Sequence, residues 1–347
     1  MSFHQDLDNM TRDMHDASME VEYMQKTPVL KLILEKKDVK FNGGKYYYKE
    51  VDTDTIEDIA QDYSANDKLE HGTLDTTEQI KFGRKHFTVP IQLDLDEELQ
   101  NAMDNEDGTQ LQNLAKHKVK KAQEAGRLHL RKLIYGAATD TDKQIQGLNS
   151  ALIVDSTYGF KTRTTASDIA NWWQPADNRY TTGTQAAEYS ISIDWLQGVI
   201  DPLIDLETGK GDFAIIVGNT LWLAIKSEAQ ARSMPVEIID AKVNFGIEEM
   251  IIDNMRIVKD PFLQTKYNAS MGMTTGVAGD LARRLYALNL NDWEFLVHPK
   301  RNFYLTPWFD QKNIAGGADF ELARLLVAGN IVCWHPNRQL YLSNVLA

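Results

Sequence analysis

"IKFGRKHFTVPIQLDLDEELQN" runs from Ile80 to Asn101, and two periods meet inside it. Phe87, Val89, Ile91, Leu93 and Leu95 alternate with polar residues or proline, the period of a strand with one buried face. Beyond Asp96 the alternation stops. Leu111, Leu114, Ala115, Val119, Ala122, Leu130 and Leu133 then recur near helical spacing. Gly108 followed by Thr109 marks a break and an N-cap, and Gly136 a stop. The helix so delimited has about seven turns at 3.6 residues each, long for a globular domain. Asp94, Asp96, Glu97 and Glu98 cluster where strand gives way to helix, a position at which acids complement the helix dipole.

Upstream, Asn42, Gly43 and Gly44 tolerate positive φ, so Tyr46 to Tyr48 begin a strand after a turn. Between Glu50 and Gln79 stand ten acids (Glu50, Asp52, Asp54, Glu57, Asp58, Asp62, Asp67, Glu70, Asp75 and Glu78) against the one base Lys68. Two strands joined by a long acidic excursion describe a projecting hairpin, with little core of its own, that gains order by lying on a neighbour. The long helix has the opposite balance. Lys118, Lys120, Lys121, Arg127, Arg131 and Lys132 face the single acid Glu124. Taken alone, either run reads as a solvated face.

Downstream, residues 190–291 alternate strand and helix signals. DWLQGVIDPLIDL is an amphipathic helix, GDFAIIVGN a buried strand and TLWLAIKSEAQ a helix capped by Thr220. VEIIDAKV and EEMIIDNMRIVKDP read as β-rich, with Pro261 ending the second. The chain closes with DWEFLVHPKRNFYLTPW, a short helix FELARLLVAG, and a strand pair IVCWHP and QLYLSN turning at Pro336 and Asn337. The class is α+β. Residues 1–27 are polar and methionine-rich and read as a docking arm without the features of a signal peptide.

Composition narrows the function. The 43% hydrophobic content supports sizeable cores, while no apolar run reaches the roughly 20 residues that span a bilayer. A net charge of −13 argues against a broad electrostatic footprint for nucleic acid. The single cysteine, Cys333, sits among Ile331, Val332 and Trp334 and reads as a buried, inert thiol. The chain lacks a Walker A loop (LETGKGD has the wrong glycine spacing), a G-x-S-x-G elbow and an H-E-x-x-H pair. His298 and His335 each precede proline and read as turn residues. A glycosidase pair of carboxylates would be an arbitrary choice among fifty acids. The sequence assigns no catalytic residue, metal ligand or cofactor.

The order of these parts resembles the major capsid proteins of tailed bacteriophages, the Hong Kong-97-type shell fold. The likeness covers most of the chain from about Thr27. "TPVLKLILEKKDVKFNGGKYYYKEV" looks like that family's entry into its extended loop, and "IKFGRKHFTVPIQLDLDEELQN" like its return strand and approach to the spine helix. "LRKLIYGAATDTDKQIQGLNSALIVDS", "TTASDIANWWQP" and "DFELARLLVAGNIVCWHPNRQLYLSNV" follow in the family's order. One departure is the stretch Thr165 to Asn171, where many relatives carry glycines and an arginine.

The resemblance implies an N-terminal arm (1–27), an extended loop with flanking strands (28–95), a spine helix and peripheral domain (96–189), an axial domain (190–291) and closing helix and strands (292–347). It implies hexamers and pentamers closed into an icosahedral head around double-stranded DNA. A separate scaffolding protein and a portal would be the partners, with decoration proteins as an optional addition, the virion as the place of work and the host cytoplasm before assembly. Charge adds a specific expectation: Asp52, Asp54, Glu57, Asp58 and Asp62 of one copy lie across Lys120, Lys121, Arg127 and Arg131 of the next. Trp172 and Trp173 are expected to anchor a polar loop by packing. The competing classes are a nanocompartment shell of the same fold and a carbohydrate-binding protein built on the tryptophan pair.

Overall fold

The computed structural model describes residues 28–36, 38–40, 43–52, 77–94, 109–153, 156–163, 170–175, 189–204, 213–232, 234, 237–239, 248–272, 280–310 and 320–346. The strand–helix frame of the central stretch is present. β4 (Lys85–Asp94) buries Ile91 and Leu93 and exposes the residues between them. The long helix, α2 (Thr109–Ile134), begins at the expected residue. It lies on β4, where Ala115, Val119 and Ala122 join Ile91, Leu93, Trp308 and Ala323 in one apolar cluster.

The partner of β4 corrects the sequence reading. FELARLLVAG is not a helix. It forms most of β16 (Phe320–Cys333), which pairs antiparallel with β4 from Phe320 opposite Asp94 to Gly329 opposite Lys85. Leu322, Leu325 and Leu326 have helical spacing and the residues favour helix locally. The ten-residue ladder and the burial of Glu321, Ala323, Leu325 and Val327 on one face override that preference. The same sheet takes β1 (Asp38–Lys40), β13 (Trp293–Val297), β14 (Tyr304–Leu305) and β15 (Phe309–Asp310).

A second six-stranded sheet has the order β17 (Leu340–Leu342), β12 (Leu285–Asn289), β8 (Phe213–Val217), β11 (Met255–Lys259), β10 (Glu248–Ile252) and β9 (Glu237–Ile239). Every residue of β8 is buried because both sheet faces are covered. Helices α5 (Ile193–Ile200) and α6 (Asn219–Ala231) cover one face through Leu196, Leu221 and Ile225. Leu32 of α1 (Pro28–Lys36) meets Ala214 and Val258 on the other. Thr220 is not the cap of α6. Gly218 holds that position, and a Cβ there would stand 2.2 Å from the Leu263 carbonyl oxygen, so close approach of the backbone selects glycine. The expected strand pair at the C-terminus also separates. IVC completes β16 in the first sheet, whereas β17 pairs with β12 in the second.

The described part of the expected projecting hairpin is packed on the core: β2 (Tyr46–Asp52) pairs with β3 (Thr77–Gly83), with Tyr46 opposite Gly83 and Asp52 opposite Thr77, and Val51, Ile80 and Phe82 are buried in the apolar cluster that holds Trp173 and Trp334. Beside its foot lie α3 (Leu148–Leu152), the hairpin β5 (Thr157–Tyr158) and β6 (Lys161–Thr162), and the single turn α4 (Ala170–Trp173). A short parallel pair of β7 (Tyr189–Ser190) and β18 (Val345–Leu346) ties the C-terminus back. Among the described residues no helix is long and apolar enough to cross a membrane.

Candidate functional site

The foot of the ribbon is fixed by buried polar groups that the sequence reading missed. Lys85 follows the ribbon directly, and its ammonium turns inward to donate to the Asp140 carbonyl at 2.6 Å and to the Asp142 carbonyl. Burial lowers its pKa, and the charges of Asp140 and Asp142 oppose that shift. The Asp140 carboxylate accepts from the Gly159 and Phe160 amides at 3.2 and 2.9 Å and from the Gln146 amide at 2.9 Å. Burial pushes its pKa up against those bonds. Asn330 of β16 completes the hub, donating to the Gly83 carbonyl and to the Gln146 side-chain oxygen and accepting from the Gln146 backbone N–H. Ribbon, sheet and the segment after α2 are thereby held in one geometry.

Phe160 sits at φ 60° beside Gly159 at φ 64°, a left-handed pair that turns β5 into β6 and is uncommon for a bulky residue. The amide bond to Asp140 and an edge-on contact of its ring with Tyr46, at 5.4 Å, hold it there.

The tryptophan pair lies on the same foundation. Trp173 is fully buried, stacked on Tyr158 at 5.5 Å, and its indole donates to the Tyr158 carbonyl at 2.9 Å. Trp172 is half-buried and tilted against it at 5.6 Å. A ring with no exposed face offers no platform to a sugar. Arg163, also fully buried, donates to the carbonyls of Ser150, Ala151, Ile153 and Trp173 and to the Ser156 hydroxyl. Its guanidinium lies over the Tyr158 ring at 5.2 Å. A cation among the carbonyls at the end of α3 suits the negative pole of that helix. No periodicity in KTRTT marks it out.

Cys333, His298 and His335 make contacts within the fold. Cys333 is buried with its pKa pushed well up by burial, the opposite of an activated thiol. His298 and His335 each precede a 3-10 turn, and His335 Nδ1 lies 2.7 Å from Asp292, whose other oxygen accepts from Gln339.

The charged surfaces are less settled within one chain. Lys120 and Lys121 are exposed on the outward side of α2, and Arg127 and Arg131 are half-buried beside them. None of the four joins an ion pair among the described residues. Asp52 ends β2, and Asp54, Glu57, Asp58 and Asp62 lie outside the described residues. The described part of one chain therefore brings no member of the acidic set onto the basic one.

No protein-family model and no curated protein sequence matches the chain. Its structure does have counterparts. The cyanophage A-1(L) capsid protein superposes with a TM-score of 0.64 at 11% identity, over 92% of this chain and 93% of that one. The chain has a phage capsid fold. Two weaker likenesses are the mature capsid of bacteriophage PhiM1 (TM-score 0.46, 10% identity, 89% of this chain and 84% of that one) and an encapsulin from Synechococcus elongatus (0.46, 9%, 92% and 88%). Among the described residues the fold combines two six-stranded sheets, a 26-residue helix and the two-stranded β2–β3 ribbon in one chain.

Proposed function

We propose that this chain is the major capsid protein of a tailed phage, built to associate with copies of itself into hexamers and pentamers of a closed head around double-stranded DNA. The observation that carries the proposal is the correspondence with a phage capsid protein along more than nine-tenths of both chains. In this reading α2 is the spine helix, the sheet around β16 belongs to the peripheral domain, and the sheet around β8 with α5 and α6 forms the axial domain. A scaffolding protein and a portal are the partners to seek.

The basic side of α2 supports a charge-guided contact. Lys120 and Lys121 are solvent-facing and Arg127 and Arg131 half-buried, while acids dominate residues 50–79 of the sequence. Exposed pairs contribute from about zero to 1 kcal/mol each. Repeated around a shell, contacts that weak let a misplaced subunit leave before closure.

Electron microscopy of the purified chain, alone and with a co-expressed scaffold, is expected to show closed particles. A compact monomer at every concentration defeats the proposal. Lys120→Glu with Lys121→Glu should leave monomer stability within about 0.5 kcal/mol of the original yet lower the particle yield. Restoration by Asp54→Lys with Asp58→Lys identifies the acidic partner, and no restoration returns both charge runs to solvated faces.

A further inference from the structure

Positive charge gathers at one corner of the first sheet. His86 of β4 stands opposite Ala328 of β16, and the backbone amide of His298, just past β13, donates to the Ala328 carbonyl at 2.9 Å. The three residues form one row across three strands. Residues in such a row point to the same face of a sheet, here the face away from the Ile91, Leu93 and Ala323 side that packs on α2. The two histidines therefore flank the Ala328 methyl, with their backbones two strand spacings, about 10 Å, apart.

Three further cations close on this row. Arg84 and His298 line one cleft between the sheet and the ribbon, and Arg84 Nη2 donates to the Gly44 carbonyl there at 3.0 Å. Lys300 and Arg301 belong to the 3-10 turn Pro299–Arg301 that begins at His298, and both are exposed. The Lys300 amide donates to His298 Nδ1 at 3.2 Å, so the ring carries its own proton on Nε2 and donates through that atom. Burial lowers the His86 pKa, and the charges of Arg301, Arg84 and His298 lower it further. Among the described residues none of His86, His298, Lys300 and Arg301 joins an ion pair. Like charges gathered in this way repel, and an anion among them turns that repulsion into attraction.

Size follows from the rest of the chain. The net charge is −13, so a long polyanion would meet repulsion beyond this corner. A compact dianion would not. Guanidinium groups present paired donors that match the oxygens of a phosphate.

We propose that this corner is a binding site for a small dianionic oxyanion of the phosphate class, held by Lys300 and Arg301 of the turn, Arg84 of the cleft and the imidazoles of His86 and His298. The site lies within a single chain, so it stands or falls independently of the shell reading.

Calorimetric titration of the full-length chain with sulfate, in chloride buffer at constant ionic strength, tests it. Sulfate stays dianionic across the neutral range and so stands in for phosphate without titrating itself. A single saturable site per chain is expected, with inorganic phosphate competing for it. Arg301→Gln should weaken sulfate binding about tenfold, as loss of one charged hydrogen-bonding group implies. His86→Gln should weaken it about threefold. Both side chains are exposed, so neither variant should move the unfolding midpoint. Arg324→Gln removes an exposed arginine on the same face, about 14 Å along β16 from Ala328, and should leave the affinity unchanged. NMR of the His86 imidazole gives a second readout: sulfate should raise its pKa, because a neighbouring anion favours the charged ring. No saturation by about 10 mM sulfate overturns the inference. An Arg324→Gln chain weakened as much as Arg301→Gln also overturns it, since the binding would then be a diffuse effect of surface charge. So does a short DNA duplex that displaces sulfate at a lower phosphate concentration than inorganic phosphate does, which would give the corner to nucleic acid.

Discussion

The foot of the ribbon and the outward side of α2 are joined through the same segment and solve opposite problems. At the foot, charged groups are buried and matched within the chain: Lys85 to two carbonyls, Asp140 to two amides and Gln146, Arg163 to four carbonyls and a hydroxyl. Along α2, Lys120 and Lys121 stand in solvent with no ion pair among the described residues. Buried polar groups must be satisfied where they are, so the first region is completed by folding. Surface charges carry no such demand and remain available to a second molecule. A chain whose ribbon is fixed at its foot and whose long helix keeps charges in solvent is suited to repeated association.

The sharpest way to break this comparison is to loosen the foundation. Trp173→Ala removes a fully buried indole with its stacking on Tyr158 and its bond to the Tyr158 carbonyl. The expected loss is about 3–5 kcal/mol, read from denaturant unfolding of the unassembled chain. A loss below about 1 kcal/mol would show that the loop does not depend on this ring. A smaller effect is expected at the hub. Asp140→Ala leaves the amides of Gly159 and Phe160 without their acceptor and should destabilise by about 1–3 kcal/mol. Phe160 then loses one of the contacts that hold its left-handed backbone, so amide exchange at 159 and 160 should accelerate more than in the β8 sheet. Uniform acceleration across both sheets would instead assign Asp140 to global stability alone.

The sequence made the frame readable where one period dominated. Alternation in β4, the start of α2 at Thr109 and the all-buried β8 were legible in the sequence, whereas EEMIIDNMRIVKDP, read as one β-rich segment, divides into β10 and β11 at Asp253 and Asn254, which take positive φ. Failure came where a distant partner decided. β16 contains strong helix formers, and its ladder with β4, more than two hundred residues away in sequence, together with its pairing to β13, β14 and β15, makes it extended. IVCWHP and QLYLSN look like a hairpin but belong to different sheets because the turn at Pro336–Arg338 carries the chain from one to the other. The polar hub was invisible for a related reason. Asp140, Gln146 and Asn330 are ordinary polar residues in sequence, and their burial is created by long-range packing. Charge asymmetry, by contrast, needs no structure to be seen, which is why the acidic run 50–79 and the basic run 118–132 were both legible.

The smallest expected effect concerns a second buried network, at the junction of the two sheets. Asp260 is fully buried at the end of β11, accepting from the Tyr135 hydroxyl at 2.5 Å and from the Phe262 amide at 2.8 Å. Tyr135 in turn accepts from Asn149 through its carbonyl, and Asn149 accepts from Tyr286. Burial raises the Asp260 pKa, with the two hydrogen bonds and Arg131 opposing the rise. A carboxyl raised on folding contributes stability that is fully present below its unfolded pKa, about 3.9, and is lost as pH climbs through its folded value. Asp260→Asn removes the titration while keeping one of the two acceptors, so the variant begins less stable in acid. Its stability relative to the original chain should then increase as pH rises through that window and level off above it. Denaturant unfolding of both chains from pH 4 to 8 measures the difference directly. A difference that stays flat would mean that Asp260 keeps the same proton occupancy folded and unfolded, and the junction would be a packing contact with no electrostatic burden.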